Sequence, residues 1–193
     1  MLLRQQLRQQ IRQKRRQLTT QQQQEAAQQL LQQCQNASCF SQAQHIALYL
    51  SNDGEIDTTP LIHWLWQQHK QVYLPVLHPF SKGHLLFLHY SPHSQLICNK
   101  YGISEPKLNI EHVIPTQQLD LIATPLVAFD QQGQRLGMGG GYYDRTLQNW
   151  HTHKKGPMPI GLAHHCQQVR ALPSEVWDVP LPQIITPTQH HIW

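Results

Sequence analysis

The residues of this chain best suited to chemistry lie in the run Phe129-Asp130-Gln131-Gln132-Gly133-Gln134-Arg135-Leu136-Gly137-Met138-Gly139-Gly140-Gly141-Tyr142-Tyr143-Asp144-Arg145. Five of the ten glycines fall within nine consecutive positions, Gly133 to Gly141, behind the apolar segment Leu121-Ile122-Ala123. A strand that empties into a glycine-rich loop, which then enters a helix, presents unpaired backbone N–H groups to an anion. The pattern therefore points to phosphate binding. It is not the Walker loop, because Gly-Lys-Ser/Thr is absent, and it lacks the dinucleotide spacing with a later acid for the ribose. Glycines alone equally suit a tight loop with close backbone packing. The flanks favour a ligand: Arg135 precedes the loop, Tyr142 and Tyr143 close it, and Asp144 with Arg145 opens the next helix. A carboxylate beside a phosphate cradle is what a magnesium nucleotide requires, since magnesium takes one or two carboxylates plus phosphate oxygens and water. A lone Asp144 also suits the first turn of a helix by its charge, so a metal role needs a partner.

Two further segments offer acids. Asp178, in Pro173-Ser174-Glu175-Val176-Trp177-Asp178-Val179-Pro180, is a candidate second carboxylate, although by spacing alone it reads first as a surface turn acid. Glu55 and Asp57, in Asn52-Asp53-Gly54-Glu55-Ile56-Asp57-Thr58, have as their plain reading a solvated loop in which Asp57 or Thr58 caps the following helix. The tyrosine pair reads either as core aromatics or as a platform for a planar ligand.

These side chains need elements to hold them. Leu3, Leu7, Ile11 and Leu18 recur on one helical face and Arg4, Arg8 and Arg12 on a neighbouring one, which predicts a basic amphipathic helix over 2–18. Glutamine-rich residues follow, yet Ala26, Ala27, Leu30, Leu31 and Cys34 keep helical spacing, so residues 1–35 are expected to hold two helices. Ile46 to Leu50 reads as a strand, Ser51 to Gly54 as a turn, Thr59-Pro60 as the cap and first position of a helix through Trp66, and Val72 to Val76 as a second, parallel strand. Residues 84–114 suggest an antiparallel hairpin or irregular insertion. Leu119 to Thr124, Ile160 to Ala163 and Ile184 to Thr186 read as strands and Tyr142 to Trp150 as a helix. The alternation predicts an α/β fold with a mostly parallel sheet and helices on both faces, in which ligands bind beyond the carboxyl ends of the strands.

A chain of 193 residues with 39% hydrophobic content favours one domain, 1–193. No apolar stretch approaches the roughly 20 residues that span a bilayer, and no signal core follows Met1, so a soluble, cytoplasmic protein is expected. Cys34, Cys39, Cys98 and Cys166 form no paired motif and the 14 histidines share no ligand spacing, which argues against a disulfide framework or a histidine metal site. Six of the 15 basic side chains lie in residues 1–16, which contain no acid, so the net charge of +4 belongs to one helix. A solvated basic face is the plain reading, and no aromatic interleaving supports nucleic-acid binding.

The segment Leu121 to Asp130, then Gly133, then Arg135 to Arg145, closely resembles the signature of the 5-formyltetrahydrofolate cyclo-ligase family, also called 5,10-methenyltetrahydrofolate synthetases. The likeness covers nearly the whole chain, including the basic helix, Tyr49-Leu50 followed by Glu55 to Thr58, Leu74-Pro75-Val76 and the tail from Leu172 to Thr186. It implies a single domain of the sugar-phosphate isomerase and CoA-transferase type. It also implies an ATP- and magnesium-dependent closure of 5-formyltetrahydrofolate, with or without a polyglutamate tail, and no nucleic-acid, membrane or obligate protein partner. Carried over by motif, Arg4, Arg8, Arg135 and Leu136 to Tyr143 (Leu136, Gly137, Met138, Gly139, Gly140, Gly141, Tyr142, Tyr143) would bind ATP. Leu50, Glu55 and Met138 to Tyr142 would face the folate, Asp144 and Asp178 would hold magnesium, and Arg135, Tyr142 and Asp144 would serve catalysis. Position 140 is glycine where some relatives carry lysine, which shifts phosphate contact to backbone N–H groups, Arg135 and the N-terminal arginines. Pro182 stands where many relatives have a second acid, which leaves Asp178 as the only acid available there. Two rivals remain: a metal-independent sugar-phosphate isomerase or CoA-transferase-like enzyme, and an RNA-binding protein using the Arg4 to Arg16 helix.

Overall fold

The computed structural model describes residues 2–193, and Met1 lies outside them. In chain order the elements are α1 (Leu2–Arg16), α2 (Thr20–Asn36), α3 (Ser38–Gln42), β1 (His45–Ala47), α4 (Thr59–Gln67), β2 (Gln71–Leu77), β3 (Leu85–His89), β4 (Leu96–Cys98), β5 (Ser104–Pro106), β6 (Val113–Ile114), β7 (Leu121–Thr124), β8 (Ala128–Phe129), β9 (Arg135–Leu136), α5 (Tyr142–His153), β10 (Met158–Leu162), β11 (Gln183–Ile185) and β12 (His190–Ile192).

The main sheet runs β12-β11-β10-β7-β1-β2-β3-β6. Its centre, from β11 to β2, is parallel, and antiparallel strands close both edges. Alternation along each strand sends side chains to two faces. Ile46, Leu74, Leu121, Ala123 and Ile160 join one core with Leu30, Cys34 and Phe40 beneath α2, α3 and α4. Ala47, Tyr73, Ile122 and Ile184 join Phe129 and Leu147 in a second core under α5. This is the α/β arrangement with helices on both faces that the strand–helix alternation predicts. Among the described residues no helix is long and apolar enough to cross a membrane.

Several boundaries differ from the expectation. α1 stops at Arg16, not at residue 18, because Thr19 adopts an extended backbone and caps α2 through a reciprocal pairing with Gln22. β1 is short: after the Leu48 N–H bonds the Tyr73 carbonyl at 2.9 Å, the Tyr49 carbonyl is taken by the Thr58 hydroxyl and the chain leaves the ladder. The N-cap of α4 is Thr58, one of the two caps read for the Glu55 loop, and not Thr59, while the Asp57 carboxylate accepts from the Thr59 N–H at 2.9 Å. The insertion supplies an antiparallel β3 and a β4–β5 hairpin. β12, α3 and the β8–β9 ribbon carry no periodic signal and were not expected.

The carboxyl ends of β1, β7 and β10 share one end of the sheet, so the loops 48–58, 125–141 and 163–182 gather there. α1 lies across them, with Ile11 buried against Val127, Ala128 and Leu136.

Candidate active site

The glycine loop leaves β9, whose Leu136 side chain is buried and can offer a ligand only its backbone. Met138 is exposed. Gly139 (φ 102°) and Gly141 (φ 66°) occupy the left-handed region, where a side chain is strained. Gly141 is the N-cap of α5 and supplies no side-chain cap, so the first N–H groups of that helix remain available to an anion. A cavity of about 240 Å³ opens here, lined by Gly139, Gly140, Gly141, Asp144, Arg145, Gln148 and Trp177.

α1 brings its arginines to this loop. The Arg8 Nε donates to the Gly137 carbonyl at 2.8 Å, and the guanidinium lies beside Gly139. Arg4 pairs with Asp178 through both guanidinium ends, Nη2 to Oδ1 at 2.9 Å, and also donates to the Pro173 carbonyl at 3.0 Å. Burial raises the Asp178 carboxyl, but the hydrogen bonds from Arg4 and the Glu175 N–H hold it below the usual range.

Arg135 lies under the loop rather than in it. Its side chain is 2% exposed; Nη2 donates to Asp144 Oδ1 at 2.5 Å and Nε to the Val179 carbonyl at 3.2 Å. As placed, it fixes Asp144, and phosphate would be met by other groups. Asp144 keeps Oδ2 free of hydrogen bonds among the described residues, whereas both oxygens of Asp178 are engaged. The expected magnesium pair is thus unequal: Asp144 has a free oxygen at the cavity, and Asp178 is held by Arg4. No group of three or more His, Cys, Asp or Glu side chains able to hold a metal is found among the described residues.

The tyrosine pair divides. Tyr142 turns outward, its hydroxyl 3.0 Å from that of Tyr101. Tyr143 packs inward against the second core, where burial raises its phenol, with a further push from Glu55.

A second polar centre sits at the end of β1. Asp53, itself in the left-handed region (φ 53°), collects Arg12 Nε at 2.6 Å, Arg15 Nη2 at 2.8 Å and Arg16. Burial pushes its carboxyl up, yet the three guanidinium groups hold it down at about 2. Arg15 is fully buried and reaches Glu55 only at 3.9 Å. Burial therefore pushes the Glu55 carboxyl up to about 7, against the pull of Arg15 and the Asn52 N–H. Leu50 packs at the edge of the first core beside this loop. His164 is buried nearby, held neutral by burial and by repulsion from Arg15 down to about 4, with Nε2 unpartnered.

Arg4, Arg8, Arg12, Arg15 and Arg16 all bond to loops of the site, Arg15 from full burial and Arg16 from an exposed position. Arg15, Asp53 and His164 carry no role in the sequence reading, which names Arg145 only as a flank of the glycine loop. Continuing the stripe by three and four residues from Arg12 reaches Arg15 and Arg16, so helical periodicity held that signal; His164 has none.

The chain is similar to known proteins over most of its length. The sequence model of the 5-formyltetrahydrofolate cyclo-ligase family matches residues 2–187. The chain is 58% identical over 151 residues to the 5-formyltetrahydrofolate cyclo-ligase of Escherichia coli K12, covering 78% of this chain and 82% of that one. It is 60% identical over 144 residues to that of Haemophilus influenzae, covering 75% and 76%. Its structure resembles the 5,10-methenyltetrahydrofolate synthetase of Aquifex aeolicus with a TM-score of 0.82 at 28% identity, covering 98% and 92% of the two chains. For the synthetase of Mycoplasma pneumoniae the TM-score is 0.74 at 26% identity, covering 95% and 98%. With the family signature spanning almost all of its described residues, the chain belongs to the 5-formyltetrahydrofolate cyclo-ligase family.

Proposed function

We propose that this chain closes 5-formyltetrahydrofolate to 5,10-methenyltetrahydrofolate with conversion of ATP to ADP and phosphate, acting in the cytoplasm on soluble substrates. The observation that carries the reading is convergence. The basic helix, the glycine loop and the C-terminal tail, far apart in sequence, are joined by Arg8–Gly137 and Arg4–Asp178, next to a cavity that Gly139 to Gly141, Asp144 and Trp177 line.

A formamide oxygen is a poor leaving group. Transfer of the ATP γ-phosphoryl to that oxygen makes it a phosphate ester, and the nitrogen at position 10 then attacks the formyl carbon, gives up its proton and expels phosphate. Such chemistry needs alignment and charge stabilisation more than a covalent nucleophile. The N–H groups at the start of α5, Gly139 to Gly141 and Arg8 would hold the triphosphate, with Arg4 joining when it releases Asp178. Magnesium, when bound with the nucleotide, neutralises phosphate charge; the free oxygen of Asp144, oriented by Arg135, would hold it, and Asp178 would contribute only once Arg4 turns away. Glu55 and Leu50 would take the pterin, the ionised Glu55 accepting from its N–H groups. Tyr142 and Met138 would face the folate.

Purified protein given 5-formyltetrahydrofolate, ATP and magnesium should generate the methenyl absorbance. Product formed at the same rate without ATP would point instead to a different activity on this fold.

A further inference from the structure

Arg145 stands one turn into α5, and its guanidinium reaches back over the glycine loop. Nε donates to the Gly83 carbonyl at 2.7 Å and Nη2 to the Gly140 carbonyl, with the Tyr142 ring centroid 5.8 Å away. A Cβ on Gly141 would lie 2.9 Å from Nη1, and one on Gly83 would lie 2.3 Å from Nη2. Both glycines leave room for this one side chain. Arginine carries five N–H donors, and only two are used here, so the Nη1 pair and one Nη2 donor remain. No acid pairs with Arg145 among the described residues, although Asp144 lines the same cavity; that acid is committed to Arg135.

Arg145 is the only cation among the residues lining the cavity beside Gly139 to Gly141. Three consecutive glycines have no side chain with which to meet a phosphate, and their N–H groups supply direction without full charge. The two carbonyl contacts and the Tyr142 ring engage part of the guanidinium and leave its charge without an acidic partner among the described residues.

We propose that Arg145 is the phosphate-binding cation of the glycine loop, its free Nη donors meeting the anionic phosphates of the nucleotide in the cavity. Gly139 to Gly141 then need no basic side chain of their own. This rests on the ATP reading above, and it assigns a contact that the loop and the N-terminal arginines do not supply.

The test separates charge from latch. Calorimetric titration of the full chain with magnesium-ADP, and separately with 5-formyltetrahydrofolate, compares the wild type with Arg145→Ala, Arg145→Gln, Arg145→Lys and Arg145→Ala combined with Gly140→Lys. Charge-assisted contact predicts that ADP affinity falls about tenfold or more in the Ala and Gln variants, less in Lys, and recovers with Gly140→Lys, while folate affinity in the three single Arg145 variants stays within about twofold. Gly140 lies outside the left-handed region, and its new Cβ would meet only the Tyr142 ring, at 2.8 Å, which must turn aside. If Arg145→Ala does not fold, the comparison of Gln with Lys decides. Overturning results are ADP affinity unchanged in Gln, or ADP and folate affinities falling together with Lys as damaged as Ala. A wild-type chain that binds folate but no ADP would overturn the ATP reading and this assignment together.

Discussion

Arg4 and Asp178, 174 positions apart, meet in a two-pronged ion pair that fastens the N-terminal helix to the C-terminal tail. Both side chains are largely buried, at 13% and 7% exposure, so removing one partner strands the other. Asp178→Asn should cost about 2 kcal/mol of stability. Hydrogen exchange should accelerate in α1 before the rest of the fold. A double variant with Arg4→Ala should lose much less than the sum of the single losses, and full additivity in urea melts would deny the coupling.

Asp53 is the second fastening. Its carboxyl is held at about 2 against an ordinary 3.8, a depressed value. Its contribution is therefore complete above about pH 4 and is lost as pH falls through about 2, amounting to about 2 kcal/mol. Asp53→Asn should remove that acid-labile stability and detach Arg12 and Arg16. Denaturant melts from pH 6 to pH 2 should be flatter for the variant; an unchanged pH dependence would show that Asp53 does not carry it.

Glu55 shifts the other way, from 4.5 up to about 7, because burial outweighs Arg15. A raised carboxyl favours the protonated folded state, so this group opposes folding as pH rises from about 4.5 through 7. A ligand that needs the carboxylate must bind more tightly over that same rise. Folate affinity should strengthen severalfold between pH 6 and 8 in the wild type and stay nearly flat in Glu55→Gln, with ADP affinity unaffected in both. Equal pH profiles for the two proteins would remove Glu55 from the folate site.

Much of this architecture is local and could be read directly. The spacing of Leu7 and Ile11 gives the packed face of α1, and the short apolar runs at Leu121 and Ile160 give central strands. Gly133 to Gly141 mark a loop opening a helix. What could not be read depends on contacts across the chain. Nothing local distinguishes Tyr142, which faces out, from Tyr143, which faces the core. Arg135 looks like a phosphate ligand until its burial beneath Val179 is seen, and Arg15 looks solvated until Asp53 and Leu126 enclose it. The ends of α1 and β1 were displaced by side chains, Thr19 and Thr58, whose partners lie in the next element.

Asp144 and Arg135 should separate in their effects. Asp144→Asn removes the carboxylate charge expected to meet the magnesium nucleotide, so KM for magnesium-ATP should rise by about tenfold or more and KM for folate by less than about twofold. Arg135→Lys loses the contact with Asp144 or with Val179 in a buried site and should cost about 2 to 4 kcal/mol of stability as well. If Asp144→Asn changed the two KM values equally, its assignment to the nucleotide side would be wrong.

The central claim is that the glycine-loop cavity couples ATP cleavage to ring closure on the folate. The direct measurement follows the methenyl absorbance and ADP release together, in one reaction of purified protein with 5-formyltetrahydrofolate, ATP and magnesium. One ADP should appear for each methenyltetrahydrofolate, and both should vanish when either substrate is omitted. Methenyl product without ADP, or ADP without methenyl product, would contradict the account.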